Sequence, residues 1–286
     1  MKRGLLALLL VPVLAVCADA WQWPVEDGVL SATFGQLRHG GFSQGVVFGG
    51  AGQQVRPAAE GELVFSCDGR LFPHPLGNFV VLQHEGGFRS VYAHLEDVTL
   101  PSGQVRFSAA DVIAAVGSSG FAAGRQTVFQ IVDEELNAYV NPLLILPARP
   151  DTRNPVLGAV VLEQDDGTRL QAAAVTTLDG AGKVTLLAEV YDPGAEVSFL
   201  QRLVPYEIVV EQDGHELRRI TFETLQGRDG TFLLGGSYRA DQLYRGDSVF
   251  DLGTVSVADE PSRIRISVRD FSGNTVQRTI TVQVSP

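Results

Sequence analysis

The chain has 286 residues and a net charge of −11 at pH 7, from 22 Lys and Arg against 33 Asp and Glu. That balance repels nucleic acid and anionic membrane surfaces, so neither is an expected partner. Hydrophobic residues make up 45% of the chain and charged residues 19%, enough apolar surface for one or two cored domains, and frequent Gly with short runs of Val, Thr and Phe points to an all-β architecture.

The N-terminus reads as an export leader. Lys2 and Arg3 precede an apolar run from Leu5 to Val16, and Ala18-Asp19-Ala20 supplies small residues for cleavage before Trp21. The run is shorter than the roughly 20 residues that a membrane span needs. Leu14-Ala15-Val16-Cys17 also has the outline of a lipidation site, although Val16 stands where a smaller residue is expected, so membrane attachment is expected only if Cys17 carries lipid. After cleavage Cys67 is the one remaining cysteine, which excludes an internal disulfide and reads as a buried thiol on a strand.

From Trp21 to about Leu146 the pattern is short strands between Gly-rich turns. Glu62–Ser66, Phe79–His84, Ser90–His94 and Thr127–Val132 are the expected strands, bounded by Gly61, Asp68-Gly69, Gly77-Asn78 and Gly86-Gly87. No amphipathic helix of ten or more residues is expected, and Ser108–Val116 reads as a turn and a strand. Pro142, Pro147, Pro150 and Pro155 then mark a stiff, exposed connector.

A second run of strands follows, expected at 158–162, 183–190, 206–211, 218–225, 231–234, 248–251, 262–268 and 275–284. Turns fall at Asp165-Asp166-Gly167, Asp179-Gly180, Asp213-Gly214, Asp229-Gly230 and Ser272-Gly273-Asn274. This spacing suggests a two-sheet sandwich. Its ending, Asp270-Phe271-Ser272-Gly273-Asn274 between two long strands, resembles the last hairpin of bacterial Ig-like domains.

Within the first region, Phe34-Gly35, Arg38, Phe42 and Gly45 fall at the spacing of an F-G-x-x-R-x-x-x-F-H-x-G-x-D motif. Val55–Gly61, Gly77–His84, Tyr92-Ala93-His94-Leu95, the glycines Gly117 and Gly120, and Pro142 supply further landmarks in order. Together these resemble the LytM, or lysostaphin-type, zinc endopeptidases over residues 21–146. The expected organisation is an all-β chain: a leader over 1–20, the LytM-type duplicated-hybrid-motif β domain that the resemblance implies over 21–147, a Pro-rich linker over 148–155, and an Ig-like β-sandwich over 156–286.

The residues that carry the family's chemistry are replaced. The three zinc-ligand positions hold Ser43, Val47 and Val128, and of the two that position water and stabilise the oxyanion, His94 is kept and Gln126 replaces His. Catalytic zinc needs three protein donors and one open position. Valine has no lone pair, and a zinc site's roughly 10–16 kcal/mol of binding does not survive on one imidazole. No cofactor is therefore expected. Without metal, water keeps its bulk pKa and supplies no hydroxide at neutral pH.

A migrated site built from His39, His84 and His94 is the alternative, against a reading in which His84 and His94 are bonded within the sheet. His74 and His215 read as loop residues. Ser118 and Ser119 lack a nucleophile elbow, and Asp133-Glu134-Glu135 reads as a solvated turn. The resemblance extends to metal-free LytM-like domains that regulate separate cell-wall hydrolases. The expectation is an exported, non-catalytic module whose groove, at Ser43, Val47, His94, Gln126 and Val128, binds such a hydrolase or a peptidoglycan stem peptide. The alternatives are an active metalloendopeptidase with a displaced site and a structural or adhesive envelope module.

Overall fold

Period-two alternation and glycine punctuation turn the first region into short strands. The computed structural model describes residues 21–50, 53–98, 100–194 and 202–285. The expected leader and Cys17 lie outside those residues. In chain order the strands are β1 (Val29–Ala32), β2 (Leu37–Arg38), β3 (Gly41–Phe42), β4 (Val46–Gly49), β5 (Gln54–Val55) and β6 (Gly61–Cys67). Next come β7 (Asn78–Gln83), β8 (Phe88–Leu95), β9 (Arg106–Phe107), β10 (Ala114–Ala115), β11 (Gln126–Asp133) and β12 (Ala138–Val140). Their main sheet runs β12-β11-β8-β7-β6-β9. β4 pairs with β11 ahead of β12, and β1 flanks β4.

Alternation sorts β11 into two faces. Thr127, Phe129 and Ile131 are fully buried. Phe129 and Ile131 join Phe48, Leu82, Tyr92, Phe107 and Ile113 in the first core. Gln126, Val128 and Gln130 take the opposite face, where Val128 packs with Cys67, Phe79, Val81, Val91 and Ala93. This second face is only partly covered: Val81, Val91 and Val128 stay half-buried, whereas Cys67, Phe79 and Ala93 are buried.

The second region adds β13 (Val156–Gln164), β14 (Arg169–Gln171), β15 (Val175–Leu178), β16 (Gly182–Tyr191), β17 (Glu207–Gln212), β18 (His215–Thr221), β19 (Thr224–Arg228) and β20 (Thr231–Leu234). A short helix α1 (Ala240–Leu243) leads to β21 (Tyr244–Gly246), β22 (Val249–Val257), β23 (Ser262–Arg269) and β24 (Thr275–Val284). Two five-stranded sheets result, β14-β13-β16-β22-β21 and β15-β24-β23-β17-β18. Leu162, Leu186, Ile208, Phe250, Ile264, Ile266 and Ile280 fill the space between them. β14 and β15 are short and largely exposed, which is why the sequence pattern missed them.

One sequence expectation is corrected and one is refined. The segment 218–225 is not one strand. It breaks after Thr221, because buried Asn141 donates from its backbone to Glu223 O and from its amide to Phe222 O, both at 2.7–2.8 Å. The chain then crosses over, and β19 pairs with β12 (Tyr139 opposite Leu225), so the β19–β20 hairpin extends the first sheet to ten strands. The connector is exposed at 147, 148, 150 and 152–154, as expected, but it is anchored to both flanking regions at several points. Trp23 donates to Pro147 O at 2.9 Å, Arg149 lies 3.9 Å over the Trp23 ring, Asn274 donates to Asp151 O at 3.1 Å, and Pro155 is buried.

Phe34 and Phe42 belong to the second core, with Phe222, Leu225, Tyr244 and Phe250. Tyr244 OH donates to Gly35 O at 2.8 Å, and Val204 N donates to Thr33 Oγ1 at 2.9 Å. Gly35 has φ 77°, and a Cβ there would stand 2.6 Å from Phe222 Cδ1. Position 35 therefore accepts only glycine, for both conformation and space.

Candidate functional site

The groove floor is set by strand register. Val47 lies directly opposite Val128, and Val128 directly opposite Ala93. The next row is Gln130, Val91, Val81 and Phe65. These side chains share the face away from the first core. Val47 is 2% exposed, whereas Phe65 at the far end is 52% exposed and stacks 5.6 Å from Phe79. Apart from buried Gln130, the floor is thus apolar across five strands, closed at the Val47 end and open at the Phe65 end.

The wall at the closed end comes from the β2–β3 hairpin. Gln36 O accepts from Ser43 N, and Ser43 O from Gly35 N, both at 2.8 Å. This ladder carries Arg38 to the hairpin tip and Ser43 to its base. Gly45 then passes so close to β11 that a Cβ would stand 2.2 Å from Phe129 O. A glycine is required there to bring Ser43 beside the strand that carries Val128.

His94, the residue before the end of β8, takes a left-handed conformation, φ 60°, which is uncommon outside glycine. Its backbone N donates to Leu76 O at 2.8 Å, and its Nδ1 lies 2.9 Å from Ser119 O. A carbonyl only accepts, so Nδ1 carries the proton and Nε2 is the acceptor. His94 is 8% exposed. Burial lowers its pKa most strongly, the Ser119 contact opposes that, and the nearby positive charge of Arg38 lowers it further. Neutral His94 and charged Arg38 are therefore neighbours. Arg38 has no role in the sequence reading beyond its place in the motif, and Ser119 appears there only as a rejected nucleophile.

The donor set does not fit zinc. Val47 and Val128 offer only carbon, and Ser43 Oγ donates to Gly45 O at 3.0 Å. Gln126, half-buried, starts β11 opposite Gly49. A migrated site does not form either. His84 lies on the core side of the sheet, with Nδ1 2.8 Å from Glu60 O and Nε2 2.6 Å from Ser90 Oγ, beneath Trp21. Both of its nitrogens are engaged, as the in-sheet reading expects, and His39 is exposed on the hairpin turn.

Among the described residues, one group of His, Cys, Asp or Glu comes close enough to share an ion, Asp151, Asp192 and Asp270 at the connector. It is not part of the groove. Asp133 caps its own turn by accepting from Glu135 N and Leu136 N, Cys67 is buried, and His215 is exposed, all as expected from sequence.

Residues 41–142 match the model of Peptidase family M23, and a second family model that carries no description covers residues 154–285. The chain is 33% identical over 101 residues to outer membrane antigenic lipoprotein B of Haemophilus influenzae, spanning 35% of this chain and only 23% of that protein. It is 34% identical over 105 residues to an uncharacterised protein of Treponema pallidum, covering 33% of this chain and 70% of that one. A zinc-containing peptidase of Vibrio cholerae superposes with a TM-score of 0.39 at 21% identity, over 48% of this chain and 41% of that one. Among the described residues no helix is long and apolar enough to cross a membrane.

Proposed function

We propose that this chain, which belongs to peptidase family M23 through residues 41–142, is a non-catalytic LytM-like module of the cell envelope. Its groove holds a protein or peptide segment instead of cutting it. The observation that carries this reading is Val47 opposite Val128, an aliphatic pair at two of the positions where the family motif places metal ligands. An apolar floor without a Lewis acid retains binding and loses hydrolysis.

The occupant in this reading is a cell-wall hydrolase segment or a peptidoglycan stem peptide, and the second region is an Ig-like sandwich that braces the groove. The leader pattern and the relative named as an outer membrane lipoprotein support an exported, envelope location.

Capture from envelope extract tests the reading. The wild-type chain is expected to retain a hydrolase or peptidoglycan fragments, and Val128→Asp to lose them. Chelator-sensitive clearing of cell walls by the purified chain favours an active enzyme instead. Equal capture by both forms favours a structural module.

A further inference from the structure

The groove has a polar end that its apolar floor does not explain. Elsewhere in the first region, Arg70 pairs with Asp68 and Asp97, Arg89 with Glu134, and Arg125 with Glu96. Arg38, half-buried at the hairpin tip, has no such partner; no carboxylate or hydrogen bond among the described residues engages its guanidinium. Beside it, His94 uses Nδ1 on Ser119 O and leaves Nε2 as an acceptor without a partner among those residues. The closed end of the groove therefore presents a forked cationic donor next to a neutral acceptor. Beyond them run half-buried Val128, Val91 and Val81, packed against buried Phe79.

A ligand complementary to this arrangement carries a carboxylate and an N–H donor close together, followed by small or apolar side chains. The terminal residue of a peptide carries both groups on one Cα. An acidic side chain sets its carboxylate farther from the backbone N–H, across one or two freely rotating bonds. An internal segment must in addition continue past the wall formed by the hairpin. The net charge of −11 repels anions at long range, so carboxylate selection has to come from a local, unpaired cation.

We propose that the groove captures the free carboxyl end of a peptide: Arg38 pairs with the terminal carboxylate, His94 Nε2 accepts the terminal amide N–H, and the preceding side chains rest on Val128, Val91 and Val81. This rests on the reading above that the groove binds peptide, and it specifies which part of the peptide is recognised.

Calorimetric titration of the full mature chain with trialanine tests it, using three probes: the free acid, its C-terminal amide, and an Ala-Glu-Ala amide that keeps a carboxylate only on a side chain. The free acid is expected to bind at least tenfold tighter than either amide. Arg38→Gln is expected to remove that preference without lowering the melting temperature, and Arg38→Lys to keep part of it. Equal affinity for acid and amide, or an undiminished preference in Arg38→Gln, overturns the proposal. Equal affinity for the free acid and the Ala-Glu-Ala amide overturns it too, by assigning the carboxylate to a side chain. If both amides bind and Val128→Asp abolishes that binding, the groove reading survives and only the carboxyl-end assignment fails. If no probe binds and no envelope partner is captured, both fail.

Discussion

Two buried titratable residues give this chain opposing responses to acid. Burial lowers the pKa of His84 and outweighs the opposing contact of its Nδ1 with Glu60 O, so the folded state prefers the neutral ring. Its contribution is complete above pH 6.5 and declines as pH falls below it, because the unfolded chain takes up the proton first. Asp192 acts the other way. Burial, reinforced by Asp270 and Asp151, pushes its pKa up to about 6 from 3.8. The folded state therefore carries a penalty at neutral pH that disappears as pH falls from 6 towards 3.8.

Asp192→Asn is expected to raise stability at pH 7.5 by on the order of 1–3 kcal/mol and to give no gain near pH 4, measured as urea midpoints at both values. A gain at pH 4 equal to that at pH 7.5 contradicts the titration account. His84→Gln is expected to flatten the fall in stability between pH 6.5 and 5, read from the same midpoints.

At the scale of elements, the hairpin that carries Arg38 and Ser43 is held by the second region. Phe34 and Phe42 pack against Phe222 and Tyr244, and Asn141 bridges β12 to the chain ahead of β19. Asn141→Ala removes a buried donor and leaves Phe222 O unsatisfied, an expected loss of about 1–3 kcal/mol in chemical denaturation. Gly35→Ala places a Cβ at positive φ against the Phe222 ring and is expected to cost at least as much. If either variant unfolds like wild type, the bracing of the groove wall by the second region is wrong.

These contacts also mark the limit of the sequence. The central strands were legible because β6, β7, β8 and β11 carry long apolar or alternating runs between glycines, and the motif spacing pointed to Ser43, Val47, His94, Gln126 and Val128, of which strand register pairs Val47 with Val128. The crossing of β19 was not. Arg218–Leu225 is continuous in strand propensity, and only a residue 81 positions before Phe222, Asn141, pulls the chain from one sheet to the other. Arg38 was visible as a motif residue, but its lack of a carboxylate partner is a property of space alone.

Over the whole molecule, one sheet runs through both regions, from β9 to β20. A fragment ending at residue 147 loses β19 and β20 and bares the edge of β12 together with Phe34 and Phe42, so it is expected to aggregate or give poorly dispersed amide spectra. The full mature chain is expected to melt in a single transition; two well-separated transitions in calorimetry argue against a shared core.

The central claim is that the peptidase groove persists without its metal chemistry. Zinc content settles it most directly, measured by mass spectrometry on the purified mature chain after saturation with zinc and dialysis. The account predicts well under one zinc per chain, unchanged by Ser43→Ala or His94→Ala. One tightly held zinc per chain, released by either substitution, contradicts it.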